Sequence, residues 1–266
     1  GMADGAACGD IFAAPPPNVI LDATRAVNKG QGVLFLYGNY AGDVMNFKIA
    51  AQLAAAEGIR VETVLIWDDV ASAPPSDKES RRGIAGLIPI VKLAGAAVEK
   101  ATDLEELVSL VTLARDNTRS VGVALSPGSI PATGMPTFEL DEDSIGIGMG
   151  IHGEQGVGVD KMMTADALAD KLVDLILADD LPIGSGDEVL VLINSLGSTT
   201  MMECLIVLKR VKAILTEKDI KIYDVLLGPL VTCQEMAGLS ISFTKLDETL
   251  KPLWDTPCSS LGYTKL

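Results

Sequence analysis

The chain has 266 residues, with 36 acidic against 21 basic side chains, and its net charge of −15 excludes nucleic acid and anionic membrane surfaces as partners. Hydrophobic residues make up 48% of it, yet no unbroken apolar run approaches the roughly 20 residues that span a bilayer, and no signal peptide is evident. A soluble, cytoplasmic protein is therefore expected. Cys8, Cys204, Cys233 and Cys258 are too scattered for a metal-binding pair or a disulfide framework, and with one histidine in the chain no metal site is expected.

Strands alternate with helices along the chain. Residues 32–37 read as a buried strand, 43–57 as an alanine-rich helix and 61–66 as a second strand. Residues 68–75 read as a loop, because the pair Pro74-Pro75 stops both ladders and helices. Helices are expected over 83–100 and 104–116, the second capped by Thr102 or Asp103. Residues 120–125 form the next strand, followed by a Pro/Gly-rich excursion through Pro127, Pro131, Gly134 and Pro136, and residues 145–151 carry the chain to the histidine. A helix over 165–179 places Leu168, Leu172, Leu175 and Ile176 on one face. A strand at 188–193, a helix at 200–215 and strands at 220–227 and 239–245 follow. The pattern predicts two α/β domains with mixed sheets flanked by helices. They cover residues 1–117 and 118–266, with the last segment free to pack back on the first domain.

In α/β sheets ligands bind beyond the carboxyl ends of strands, so the turns after strands are where chemistry is sought. One is Gly38-Asn39-Tyr40-Ala41-Gly42-Asp43, where Asp43 suits a helix cap, a general base, or both. Another is Met149-Gly150-Ile151-His152-Gly153-Glu154-Gln155-Gly156, which holds the single histidine in a glycine-rich backbone that a ligand can approach closely. The third, residues 194–200, gathers an amide and hydroxyls before a helix, and capping serves as well there as ligand binding. No GxxxxGK[ST] loop and no GxSxG elbow occur, and the glycines of residues 146–151 depart from the dinucleotide fingerprint. One histidine, aspartates and glycine-rich turns are the catalytic vocabulary that remains.

Asn39-Tyr40-Ala41-Gly42-Asp43 with Asn46-Phe47, Arg81-Arg82-Gly83-Ile84-Ala85-Gly86, Gly148-Met149-Gly150-Ile151-His152-Gly153-Glu154, Asn194-Ser195-Leu196-Gly197 and Leu253-Trp254-Asp255 follow one another along the chain. Taken together they resemble the substrate-binding K subunit, or K domain, of the dihydroxyacetone kinase family. The resemblance implies that fold, and it implies that His152 adds through a ring nitrogen to a ketone carbon to give a covalent hemiaminal. Asp43 is then the base for the substrate hydroxyl. Gly38, Asn39, Tyr40, Gly42, Gly150 and Gly153 line the substrate, and Asn194, Gly197 and Ser198 lie toward the partner and phosphate donor. No cofactor is expected on this chain, since the family carries ATP or ADP with Mg on a separate L-type subunit or domain.

That chemistry stands on physical grounds as well. A triose offers few hydrogen bonds that water does not match, whereas a reversible bond to a neutral imidazole fixes its carbonyl carbon. An aspartate near a helix N-terminus favours its ionised form and can accept a hydroxyl proton. Positioning supplies much of the remaining acceleration in phosphoryl transfer.

The sequence also departs from the family. A Gly-Ser-Gly-His-Glu-Pro segment normally precedes the region that begins at Gly1, so the first domain is expected to be N-terminally incomplete. Gly38 stands where many relatives carry lysine, and Ala14 where some carry serine. Both are smaller and less polar, which admits a four-carbon ketose such as erythrulose or else weakens the catalyst. The expected partners are dihydroxyacetone or another short ketose, an L-type kinase subunit and a second copy in a homodimer. The alternative is a ketose-sensing coactivator of the same fold.

Overall fold

The computed structural model describes residues 1–154 and 156–266, and Gln155 of the histidine loop lies outside them. In chain order the elements are α1 (Pro17–Val27), β1 (Val33–Gly38), α2 (Ala41–Ala56), β2 (Val61–Ile66), a 3₁₀ turn at Pro75–Ser80, α3 (Leu87–Val98), α4 (Leu104–Asp116), β3 (Thr118–Ser126) and β4 (Ser144–Ile147). They continue with β5 (Gly158–Lys161), α5 (Ala165–Leu177), β6 (Glu188–Ser195), α6 (Met201–Glu217), β7 (Lys221–Gly228), β8 (Ala237–Leu246), α7 (Leu250–Asp255), β9 (Cys258–Ser259) and β10 (Thr264–Lys265). Among the described residues no helix is long and apolar enough to cross a membrane.

The chain folds as two units. The first comprises Gly1–Ile66, Pro89–Asp116 and Glu248–Leu266, and the second Trp67–Ile88 and Asn117–Asp247. A division at residue 117, as read from the sequence, assigns Trp67–Ile88 to the first unit instead. Hydrogen bonds explain the difference: Ser120 N–H donates to the Asp68 carbonyl at 2.7 Å and Val70 N–H to the Ser120 carbonyl at 2.9 Å, which stitches the segment to β3.

In the first unit, β1 and β2 pair in parallel, Val33 beside Val61 through Gly38 beside Ile66, so the larger mixed sheet belongs to the second unit. α1 packs on α2 over a core that includes Ile20, Val33, Phe35 and Ala50. Phe47 of α2 meets Phe35 edge-on at 5.3 Å and stacks on Tyr37 at 4.0 Å. The sequence reading passed over α1, whose Pro16-Pro17 start looks like a breaker. A proline at the first helical position is instead well placed, because the N–H it lacks has no partner in the helix. Buried Lys92 donates to the carbonyls of Leu253 at 2.7 Å and Thr256 at 2.5 Å, tying α7 into this unit.

The second unit is a six-stranded mixed sheet in the order β5-β4-β3-β8-β6-β7. β8, the last strand expected from the sequence, lies inside the sheet between β3 and β6. Strand alternation sends Val121, Val123, Val191, Ile193, Leu239, Ile241 and Phe243 into the core with Leu168, Leu172 and Ile176 of α5 and Val207 and Val211 of α6. Alternate residues carry hydroxyls that bond across strands, Thr118 with Thr244 at 2.9 Å and Ser120 with Ser242 at 2.6 Å.

Caps set the helix boundaries. Thr164 caps α5, and Thr200 and Glu203 form a capping box on α6. Asp103 rather than Thr102 accepts the N–H of Glu106 at the start of α4. α3 begins at Leu87, later than the expected 83, because the Asp68 carboxylate accepts the N–H groups of Ile84 at 2.8 Å and Gly86 at 2.9 Å. Strand β5, largely exposed and without an apolar pattern, gave no signal in the sequence.

Buried charges lock the 67–88 segment in place. Asp179 receives Arg81 at 2.6 Å and Arg119 at 2.6 Å, and the side chains of all three are almost fully buried. Removing one partner of such a group leaves uncompensated buried charge. Asp179→Ala is therefore expected to lower the unfolding free energy by about 3–5 kcal/mol, read by urea denaturation. A loss below about 1 kcal/mol would show that Arg81 and Arg119 find other partners or water.

Candidate functional site

The histidine loop joins β4 to β5 of the second unit, starting where the sheet's hydrogen bonding ends at Ile147 and Gly158. Gly148 N–H donates to the Gly122 carbonyl at 2.7 Å, and Gly150 N–H to the Glu154 carbonyl at 3.0 Å. Gly153 N–H donates to the Gly150 carbonyl at 3.1 Å, so residues 150–154 close into a tight turn around His152. The imidazole is about one-third exposed, and its Nδ1 lies 3.1 Å from Glu154 Oε1. The other oxygen, Oε2, accepts the main-chain N–H of His152 at 2.9 Å. Burial opposes ionisation of Glu154, but the hydrogen bonds from the His152 ring and from main-chain N–H groups outweigh it and hold the carboxyl down at about 2.

Arg82 forms the floor of this loop. Its Nη2 reaches Asp69 Oδ2 at 2.7 Å and the Gly148 carbonyl at 2.9 Å. Burial pushes the Asp69 carboxyl up to about 6, against the opposing charge of Arg82. Gly150 sits where Arg82 and the Glu154 carboxylate come closest to the backbone: a Cβ there would meet Arg82 Nη1 at 2.7 Å. Glu154, Arg82 and Asp69 were not singled out as site residues by sequence reasoning. The spacing of Glu154 two residues after the lone histidine was the available signal.

The Asp43 turn belongs to the first unit. Asn39 N–H extends the β1–β2 ladder to the Ile66 carbonyl at 2.9 Å, and Tyr40 N–H folds back on the Gly38 carbonyl at 2.8 Å. α2 starts at Ala41 with Tyr40 as its N-cap, so Asp43 is the third helical residue and not the cap that its residue type suggested. It stands in the first turn, where main-chain N–H groups and the helix dipole favour a carboxylate. Gly42 lies against Ala14, and Asn46 Nδ2 donates to the Pro15 carbonyl at 3.0 Å, which brings the segment before α1 onto this turn. Burial, with the nearby charge of Asp43, raises the Tyr37 phenol to about 12, leaving it a protonated donor beside the turn. The structure thus gathers Gly38, Asn39, Tyr40, Gly42 and Asp43 on one turn, and Gly150, His152 and Gly153 on one loop.

In the third turn the Asn194 side chain serves the fold. Asn194, expected toward the partner, is buried, and its Oδ1 accepts Leu230 N–H at 3.0 Å and Val231 N–H at 2.8 Å. Its Nδ2 donates to the Val231 carbonyl at 2.8 Å and Ser240 Oγ at 3.3 Å, which uses its hydrogen-bonding capacity inside the fold. Gly197 and Ser198 are exposed, and Ser198 Oγ donates to the Glu235 carbonyl.

A mixed α/β scaffold presenting an imidazole–carboxylate pair on a glycine-rich loop, with a separate carboxylate in the first turn of a helix, defines the class. The Dak1 domain model matches residues 1–262, and the chain belongs to that family. It is 43% identical over 259 residues to the dihydroxyacetone-binding subunit DhaK of PTS-dependent dihydroxyacetone kinase 2 from Listeria innocua serovar 6a, covering 97% of this chain and 77% of that one. It is 40% identical to the D-erythrulose kinase of Mycolicibacterium smegmatis, covering 100% of this chain but 46% of that protein. Among solved structures, the dihydroxyacetone kinase operon co-activator Dha-DhaQ matches with a TM-score of 0.85 at 30% identity, over 92% of this chain and 76% of that one.

Gly197 separates backbone roles from ligand roles in the third turn. Its φ is +142°, and a Cβ there would run into the Gln234 carbonyl oxygen. Gly197→Ala is expected to cost about 1–3 kcal/mol and to lower Tm. Ser198→Ala, which removes one exposed hydrogen bond, is expected to cost about 0.5–1.5 kcal/mol. Thermal unfolding of the two variants checks the order, and an unshifted Tm for Gly197→Ala would contradict it.

Proposed function

We propose that this chain is the ketose-binding subunit of a dihydroxyacetone-type kinase. The observation that carries the reading is the His152–Glu154 pair on the β4–β5 loop, in a chain closely similar to a dihydroxyacetone-binding subunit. A ring nitrogen of neutral His152 uses its lone pair to form a bond to the ketone carbon, and the carbonyl π pair moves to oxygen. The alkoxide takes a proton from water, and the hydroxide so formed removes the proton from the other ring nitrogen. The sum is addition of an imidazole N–H across C=O, with no redox change. The hemiaminal then presents a primary hydroxyl for phosphorylation.

Asp43 accepts the proton of that hydroxyl as it attacks phosphorus, from a position where the start of α2 supports its negative charge. The phosphoryl donor, with ATP or ADP and Mg, is carried by an L-type partner, and the chain acts in the cytoplasm as a homodimer. Gly38 and Ala14, both small residues at the Asp43 turn, suit a four-carbon ketose as well as a triose. The similarity to a co-activator supports a second reading, a ketose-responsive binding protein that needs no base.

Dihydroxyacetone is expected to add one triose mass to the chain after trapping, while glycerol, which has no carbonyl, adds none. His152→Ala should abolish the adduct, and unchanged ketose binding by that variant would refute the covalent assignment. For Asp43→Asn, adduct formation is expected to survive while phosphoryl transfer with the L-type partner and ATP falls roughly 10²- to 10⁴-fold. Unchanged turnover in that assay would remove the base role, and absence of transfer by the parent chain both from ATP and from a phosphotransferase-system relay would favour the binding-protein reading.

A further inference from the structure

Two periodicities bring Tyr37 and Asp43 to one place in the first unit. Along β1, Tyr37 points the same way as Val33 and Phe35, and its ring stacks on Phe47 of α2 with centroids 4.0 Å apart and planes 19° from parallel. Along α2, Asp43 and Phe47 are four residues apart and share a face, and helical side chains lean toward the N-terminus. The ring pair therefore stands beside the Asp43 turn, near enough for the carboxylate to add to the effect of burial on the phenol. No hydrogen bond to the Tyr37 hydroxyl occurs among the described residues, so this half-buried donor is not committed to the fold.

An ionised carboxylate only accepts, and a protonated phenol beside it donates. A group that suits both must offer a proton and a lone pair together, and an alcohol does so on a single oxygen. We propose that Tyr37 is a substrate-contacting residue: its hydroxyl donates to the oxygen of the ketose hydroxyl whose proton passes to Asp43. This rests on the ketose-binding reading and goes beyond it by assigning a residue to the attacking oxygen. That oxygen has four directions: a bond to carbon, a bond to its proton, and two lone pairs. With the proton turned to Asp43 and one pair accepting from Tyr37, a single pair is left. It forms the bond to phosphorus while the bond from phosphorus to the donor's oxygen breaks, its pair leaving on that oxygen, and the hydroxyl proton moves to Asp43. Burial and the nearby charge hold the Tyr37 phenol at about 12, so it keeps its own proton and orients the oxygen without competing as a base.

Tyr37→Phe keeps the ring on Phe47 and removes only the donor, so its Tm is expected to stay close to the parent's. The equilibrium for dihydroxyacetone adduct formation should weaken about 2- to 10-fold, the scale of one hydrogen bond. Phosphoryl transfer at saturating ketose should fall about 10- to 100-fold, because the attacking pair loses its direction. Since both residues act on one hydroxyl, Tyr37→Phe combined with Asp43→Asn should cost the adduct less than the product of the two single losses. Parental adduct equilibrium and transfer in Tyr37→Phe, or single losses that multiply in the double variant, would overturn the assignment.

A measurement on the parent chain covers the case of a variant that does not fold. The chain has four tyrosines, so labelling with ζ-¹³C-tyrosine yields four signals. One of them, the signal absent from Tyr37→Phe, is expected to shift with dihydroxyacetone and also with glycerol, which offers the hydroxyl without the carbonyl. A spectrum in which no tyrosine signal moves with either ligand overturns the proposal. Failure of the ketose reading looks different: a Tyr37 signal that moves with glycerol, in a chain that forms no dihydroxyacetone adduct, supports the Tyr37–Asp43 hydroxyl site and refutes ketose capture.

Discussion

The pairing of Arg82 with Asp69 is the constraint on which the histidine loop depends. Asp69 is buried where an unpaired carboxylate would be costly, and Arg82 is its cation. The same guanidinium bonds the Gly148 carbonyl and lies against Gly150, so the group that neutralises a buried acid also shapes the turn bearing His152. Neighbouring Asp68 does the corresponding work for the main chain: its carboxylate takes the N–H groups of Ile84 and Gly86 and delays the start of α3. Arg81, on the other side of Arg82, is held by Asp179. The Arg81–Asp179 pair and the Arg82–Gly148 bond thus fasten one irregular segment to the rest of the second unit, and Asp68 and Asp69 tie it internally, so that its residues serve the loop rather than a helix.

Much of this architecture was legible in the sequence. The alternation of apolar strands with helices appeared in order because buried strands such as β6 and amphipathic helices such as α5 carry strong periodic signals. The elements that were missed have weak or misleading ones. β5 is an edge strand with mostly exposed side chains, α1 begins with prolines that suit a helix start, and α7 is a short helix held by carbonyl contacts to Lys92. The division into units was legible only in part, because hydrogen bonds to β3 and buried ion pairs, rather than composition, assign residues 67–88 to the second unit.

The candidate site was legible where residue type alone narrows the chemistry and obscure where geometry decides. A single histidine among glycines drew attention to itself. Asp43 also did, but its residue type suggested a cap, and only the observed start of α2 at Ala41 removes that explanation. Asn194 shows the opposite case. An amide after a strand looks available to a ligand, yet its side chain is buried and spends its hydrogen bonds on residues 230–231 and Ser240. Nothing in the order of letters says which way such a side chain turns.

For the proposed reaction, the distribution of charge matters as much as the nucleophile. The ketose is neutral, whereas its phosphorylated product is an anion, and the chain carries a net charge of −15. In that proposed capture, the Glu154 carboxylate 3.1 Å from His152 Nδ1 would offset positive charge on the ring, and the same negative charge would disfavour retention of a phosphate ester nearby. Capture by a reversible covalent bond, as proposed, would suit such a site: attraction to the substrate would come from bond formation to carbon and need no complementary charge, so acidic surroundings would cost little on binding and assist release.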